Sequence, residues 1–467
     1  MDITVDCQHL QQSTEKILTE FHQTADANQM LLQLRTAVLV FVETLVTTQI
    51  QQLLYDPDFL TSLKALAAKS ALRFKGYKTT TILLLTGQSF SILSPYFAPS
   101  EPGNRSRRKN KKRKKKTGCH IGLSYLGFFD RSSQLVASSA AQAALLCPSF
   151  DIAQRALQSW GLRLDIKTIQ RLSQYLGTRA IDHRQRIAIG DDDTVHGRIL
   201  LVSVDGGRLR ERRAKRGRRP DKLKRQGYHT DWREPTQLVI QWLNTEGTKD
   251  RQHPPIYDAT MGDTDQAFEL LESYLKQLDV SQADLVVFCA DGARRYWKRF
   301  DAMAKRLNIN AHLETIDYTH AKQNLNEILE RLPKKLSTSQ VSALSSQCKD
   351  LLWRGDIAGL GRVIRKHIKG RKSRKWALSK FKNYFWQNRQ RMQYMSLKHM
   401  NLPTGSGCVE SAIRRVINLR LKAPGTFWKR ETAEVMLFLR STLLCGRWDT
   451  MFSNLFAFNR GTLSDCH

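Results

Sequence analysis

Two stretches of this chain, RILLVSVDGG at 198–207 and ADLVVFCADGA at 283–293, restrict its fold more than any other feature. Each is an apolar run of strand length that ends in an acid and glycine, Asp205-Gly206-Gly207 in one and Asp291-Gly292 in the other. Such a run is read as a strand buried in a covered sheet. A carboxylate at its end loses hydration and repels any neighbouring carboxylate unless a cation is present. Side by side, the two strands would bring Asp205 and Asp291 together, the oxygen-only environment that hard divalent ions take. Taken singly, a strand-terminal Asp-Gly is also an ordinary turn.

The flanking pattern extends this. TQLVIQWLN and PPIYDAT read as two more strands, TDQAFELLESYLKQL and RRYWKRFDAMAKRL as helices, and AHLETIDYTH holds a short strand. The order is three strands, helix, strand, helix, strand. A third acid is expected later, and TGSGCVESAIRRVINLRLK supplies one: a helix after Gly-Ser-Gly, with Glu410 in its first turn and Ile413, Val416, Ile417 and Leu421 as its apolar stripe. Arg414, Arg415 and Arg420 are basic positions on the same helix, suited to lie beside phosphates. Asp205, Asp291 and Glu410 together would hold two divalent ions, Mg²⁺ or Mn²⁺, one activating an attacking water or 3′-hydroxyl and the other stabilising the leaving oxygen. Glu410 alone would serve equally as a capping carboxylate.

Charge then narrows the partner. The 467-residue chain carries 75 Lys and Arg against 43 acids, a net charge of +32, and the common polyanion that relieves such an excess is nucleic acid. Residues 105–116 hold ten Lys or Arg, among them Arg107, Arg108, Lys111 and Lys112, and no apolar residue. A solvated loop is the plain reading of a charge run, but here phosphate contact is expected. A second dense basic insert, RLRERRAKRGRRPDKLKRQGY, starts beside Arg208, directly behind Asp205. The eight cysteines are scattered, without a Cys-x-x-Cys pair, as in a reduced interior. No charge-free apolar run is long enough to cross a bilayer, and MDITVDCQHL does not read as a signal peptide. A cytoplasmic, nucleoid-associated protein with no membrane partner is expected.

Upstream of the strands, residues 1–104 read as a mainly helical region, with TTTILLLTGQSFSIL strand-like and the apolar segment from Leu31 to Leu54 expected to be buried. A basic linker, 105–118, separates it from 119–190. There SFDIAQRALQSW, with Ser149 as its cap, and DIKTIQRLSQYLG, with Asp165 as its cap, have the outline of a helix-turn-helix. Ile152, Ala153, Ala156, Leu157 and Trp160 would share one side of the first helix. Lys167, Thr168, Gln170 and Arg171 would lie where a second helix meets base edges. A plain helical hairpin is the alternative.

VSVDGGR, FCADGARRYW, IDYTHAKQNL and TGSGCVESAIRRVINLRLK resemble the signature blocks of bacterial insertion-sequence transposases of the ISKra type, related in layout to the Mutator group. The resemblance covers roughly 145 to 445. It implies an α/β RNase H-like catalytic core with an α-helical insertion, preceded by mainly helical N-terminal DNA-binding regions: core first part 191–332, insertion 333–402, and core completion 403–467 with the catalytic Glu helix and a C-terminal helix. It makes Asp205, Asp291 and Glu410 the catalytic and metal-holding acids of a DDE transposase. Asp317 and His320 match a Cys-or-Asp, two residues, His motif, with the role of orienting a carboxylate or contacting phosphate; a core histidine is the plainer reading of His320. Arg208, Arg294, Arg414 and Arg415 are expected on DNA. The implied partners are double-stranded DNA, as element ends and target, and further copies of the chain in a dimer or higher multimer. Two other readings stay open: a domesticated, non-catalytic DNA-binding regulator, and an RNase H-like nuclease without strand transfer. The basic run yields a direct test. Deleting 105–116 should weaken DNA affinity uniformly across sequences and flatten its salt dependence, measured by salt titration of binding; a changed sequence preference would show instead that the run reads bases.

Overall fold

The computed structural model describes residues 3–99, 118–217 and 226–461, so the expected phosphate contacts at Arg107, Arg108, Lys111 and Lys112 lie outside the described residues. The chain divides into two units, Met1–Asp182 with Phe452–His467, and His183–Met451. The protein is mixed α/β, with a mixed sheet and a helical N-terminus.

In the first unit, helices Ile3–Thr24 and Ala27–Tyr55 pack together, and a third, Pro57–Lys69, leads into the antiparallel hairpin of β1 (Leu72–Leu83) and β2 (Ser89–Pro99). Asp26 and Asp56 cap the second and third helices, accepting from Gln29 N at 3.0 Å and Phe59 N at 2.7 Å. The expected burial of Leu31–Leu54 is only partly met. In that helix Glu43 and Leu54 are buried, while Leu31, Leu32, Val38, Val42, Val46 and Leu53 are exposed. A helix apolar around most of its circumference has more such surface than its neighbour Ile3–Thr24 and β2 cover. Among the described residues it is also the one helix long and apolar enough, by length and composition, to cross a membrane, although Arg35 and Glu43 interrupt it. Glu43 accepts hydrogen bonds from Thr86 N at 2.5 Å and Thr86 Oγ1 at 2.6 Å, tying this helix to the β1–β2 turn.

Helices Gln134–Leu146, Phe150–Ser159 and Ile166–Asp182 share a core that includes Val136, Ala140, Ala144, Leu157, Ile169 and Leu172. Both expected caps are present: Ser149 Oγ accepts from Ile152 N at 3.1 Å and Asp165 Oδ1 from Thr168 N at 2.9 Å. Gly161, at φ 87°, makes the break between the two helices, a left-handed turn that favours glycine. Ala153 and Leu157 form the buried side of the first helix, but Ile152 is exposed and Trp160 is 76% exposed, against the expectation for both.

The second unit carries the sheet. β3 (Ile199–Gly206) is followed by a separate two-stranded hairpin, β4 (Leu209–Ala214) with β5 (Tyr228–Arg233), and then by β6 (Thr236–Leu243), β7 (Ile256–Thr260), β8 (Leu285–Ala290) and β9 (His312–Ile316). The order across the main sheet is β7-β6-β3-β8-β9, antiparallel on the β6 side of β3 and parallel on the β8 side. The expected succession of three strands, helix, strand, helix, strand is present, and its layout is compatible with an RNase H-like core. All eight residues of β6 are buried, as an apolar central strand requires. Helices Thr264–Gln277 and Arg294–Arg306 cover one face, where Phe288 and Phe300 stack with centroids 4.6 Å apart. Helices Thr338–Trp353, Ile357–His367 and Arg371–Lys380 lie within 333–402, followed by a π turn at Phe381–Trp386 and the short helix Tyr394–His399, and they join the same apolar core through Cys348, Leu352, Leu360 and Ile364.

Replacing Glu43 with alanine would strand two buried Thr86 donors at a cost of about 1–3 kcal/mol for each. Urea unfolding should show this as an earlier loss of the first unit, and an unchanged midpoint would show that water reaches Thr86.

Candidate active site

Register brings the first two acids level. Val204 of β3 pairs with Ala290 of β8 in parallel, so Asp205 and Asp291, the next residues, leave neighbouring strands at the same end. Asp205 Oδ1 accepts its neighbour's Gly206 N–H at 2.7 Å, and Asp291 Oδ1 accepts Ala293 N–H at 2.8 Å. The glycines behind them are there for space. A Cβ on Gly207 would stand 2.3 Å from Ile417 Cδ1, and one on Gly292 would stand 2.2 Å from the Tyr384 ring.

Glu410 comes from the helix Gly407–Ile413, which packs on β3 and β6 and places Cys408 Sγ 3.4 Å from Ser203 Oγ. Asp317 sets that helix. Its carboxylate, 1% exposed, accepts His320 N–H at 2.9 Å through one oxygen and both N–H and O–H of Ser406 through the other. Burial pushes the Asp317 carboxyl up, but the Ser406 and His320 hydrogen bonds and the His320 ring bring it below the ordinary range. Asp317 thus positions the Glu410 helix and offers no surface to a phosphate. Beyond Ile413 the helix widens into a π turn, Arg414–Asn418, a deformation frequent at functional sites. Arg440 donates from Nε to the carbonyls of Arg415 at 3.0 Å and Val416 at 2.9 Å. Burial, with Arg420 nearby, pushes Arg440 down to about 10.

The acids act on one another. Asp205 is pushed up to about 6, first by burial; the Gly206 hydrogen bond and His320 oppose this, and the charges of Asp291 and Glu410 add to it. Asp205, Asp291, Glu410 and His320 therefore form one electrostatic group, with Asp205 and Asp291 half-buried and Glu410 exposed. Among the described residues, no three His, Cys, Asp or Glu side chains are gathered closely enough to hold a metal ion as they stand. The cluster is open, and its carboxylate donors are of the kind Mg²⁺ and Mn²⁺ take.

The remaining expected contacts divide. Arg208, Arg294 and Arg414 are exposed, with Arg294 bonded to Gln387 of the inserted helices; Arg415 is half-buried and donates to Tyr257 OH at 2.8 Å. In the first unit Lys167 and Gln170 are exposed, the Thr168 hydroxyl is engaged by Asp165 at 2.7 Å, and Arg171 pairs with Asp130. Sequence reasoning missed Tyr384 and Arg440. It also missed a buried group at β7, where Asp258 accepts from Tyr274 OH at 2.8 Å while Arg184 lies 3.6 Å from Asp258 and 2.9 Å from Glu434. The acid inside the apolar PPIYDAT strand was the available signal for it.

No family model matches the chain, and no curated protein matches it. Among solved structures it is similar to a Drosophila P element transposase strand transfer complex, with 10% identity and a TM-score of 0.24, covering 71% of this chain and 81% of that one. A likeness so loose leaves the functional reading to the geometry.

Because Asp205 has a raised value in the fold, its ionisation opposes folding, and the cost grows in as pH rises from the ordinary 3.8 to about 6. Without divalent cations, Asp205→Asn should therefore melt higher than the natural protein at pH 7.5, and the gap should close as pH falls below 4. Equal melting curves at pH 7.5 would show a well-hydrated carboxylate.

Proposed function

We propose that the chain is a DDE transposase that cuts DNA and joins the strands of a mobile element, built on an RNase H-like core. The observation that carries this reading is the group at the sheet end: Asp205 and Asp291 leave adjacent parallel strands at the same end, and Glu410 stands on a helix packed over β3. Burial raises Asp205 first, and the charges of Asp291 and Glu410 add to it. Asp317 is met by three donors, whereas Asp205 and Asp291 each accept one backbone N–H and act electrostatically on the same group as Glu410. Asp205, Asp291 and Glu410 would hold Mg²⁺ or Mn²⁺, two ions in all. When bound, the ions would supply activation of the attacking water or 3′-hydroxyl and stabilisation of the leaving oxygen. The chain's own part is positioning and charge, which is most of what in-line displacement at phosphorus requires of a protein. Asp317 and Ser406 fix the start of the Glu410 helix, His320 supports the carboxylates, and exposed Arg208, Arg294 and Arg414 flank the strand ends to meet phosphates. The partner is double-stranded DNA, as element ends and as target, with two or more copies of the chain pairing the ends.

The test is cleavage of labelled DNA carrying the element's flanking ends, in Mg²⁺ or EDTA. Asp205→Ala, Asp291→Ala and Glu410→Ala should each abolish metal-dependent cutting and leave DNA affinity near that of the natural protein. Cleavage that survives these changes sinks the assignment, and tight binding with no cut by the unaltered protein would favour a non-catalytic regulator.

A further inference from the structure

The described residues of the basic insert behind Asp205 contribute to the paired strands β4 and β5, whose two faces differ in a way their composition conceals. On one face Leu209, Glu211 and Arg213 of β4 stand opposite Arg233, Asp231 and His229 of β5. The charges there cancel: Arg213 Nε donates to Asp231 at 2.7 Å and Arg233 Nε to Glu211 at 2.6 Å. On the other face Arg210 stands opposite Trp232, Arg212 opposite Thr230, and Ala214 opposite Tyr228, with no carboxylate among them. Trp232 is 58% exposed and Tyr228 45% exposed, so both rings are open to solvent.

These rings are held ready. The Arg210 guanidinium lies 5.6 Å from the centre of the Trp232 ring and 4.7 Å from that of Phe427, and Phe427 meets Tyr228 at 5.8 Å. Arg210 thus lies against both Trp232 and Phe427, and Tyr228 meets Phe427 at a tilt of 54°. Arg210 also donates to Ala423 O at 3.0 Å, and β4 is fastened to the same segment by Arg212 N to Trp428 O at 2.8 Å and Trp428 N to Arg210 O at 3.0 Å. At the root of the hairpin, the Glu234 side chain lies against Gly206, next to Asp205. Flat rings on a fixed support, with Arg210 and Arg212 on the same face, match the π-faces and phosphates of unpaired nucleotides.

We propose that this face of the β4–β5 hairpin is a stacking platform for unpaired bases of the DNA strand beside the acid cluster, with Trp232 as its principal ring. The inference rests on the strand-cleaving reading above for its purpose, and on the hairpin and the segment that supports it for its chemistry. The platform distinguishes single strands from duplex, because only an unpaired base offers its face.

The full chain is titrated in EDTA with a fluorescent oligothymidylate and, separately, with a blunt duplex. Trp232→Ala should weaken oligothymidylate binding by about 5- to 100-fold, the range that stacking of one base spans, and alter duplex affinity by less than about twofold. Trp232→Phe should restore most of the loss, and Arg213→Gln, on the neutralised face, should behave as the natural protein does. An oligothymidylate affinity unchanged in Trp232→Ala, a loss shared equally by the duplex, or a failure of phenylalanine to restore binding overturns the platform. No cleavage occurs in EDTA, so this result and the cleavage result stand or fall separately.

Discussion

One buried carboxylate, Asp317, holds the acid end of the sheet together. It closes the N-terminus of the helix Tyr318–Leu329 by accepting from His320 N, and 89 residues later it takes both donors of Ser406, at the start of the Glu410 helix. The whole inserted region is thus a loop whose two ends meet at a single side chain. Loop-closure entropy rises only slowly with length, by about 0.6 kcal/mol per doubling, so an insertion pinned in this way is inexpensive to keep. Glu410 can therefore be supplied from far along the chain and still reach the ends of β3 and β8.

The contrast between Asp317 and Asp205 shows how burial sorts carboxylates. Both sit near the same strand ends and both lose hydration. Asp317 gains three donors and falls below the ordinary range, whereas Asp205, with one backbone N–H and two acids nearby, rises to about 6. Asp258 is a third case. It is fully buried, and burial raises it despite Arg184 and the Tyr274 hydroxyl. Its partners close it off from solvent and mark it as structural.

What the sequence displayed and what it concealed follow from the same physics. β3 and β8 were legible because a buried strand must be continuously apolar, so the acids ending VSVD and FCAD stand out. The helix pair near 150–182 was legible from Ser149 and Asp165, since a cap is a local hydrogen bond. The β4–β5 hairpin was not: its period-two pattern is written in arginines on both faces, and hydrophobic alternation has nothing to register there. Arg440 was hidden because its role depends on carbonyls turned outward by a π turn more than twenty residues earlier. The exposed side of Ala27–Tyr55 was misjudged because apolar periodicity reports a capacity for burial and says nothing about how many neighbours arrive.

Net charge overstates how much cation this chain offers at its surface. Several arginines that swell the basic total are consumed inside the protein. Arg447 donates to Asp193 at 2.8 Å and to the carbonyl of Pro255 at 3.0 Å, Arg440 serves backbone carbonyls, and Arg184 lies between Asp258 and Glu434. None of these is open to a phosphate. A buried guanidinium suits this work because its fixed donors satisfy several acceptors at once and its charge is hard to remove. The composition therefore sets only the total charge of the chain. Which cations remain at the surface is decided by local pairing, and on the β4–β5 hairpin the ion pairs to Glu211 and Asp231 neutralise one face while Arg210 and Arg212 stand on the other.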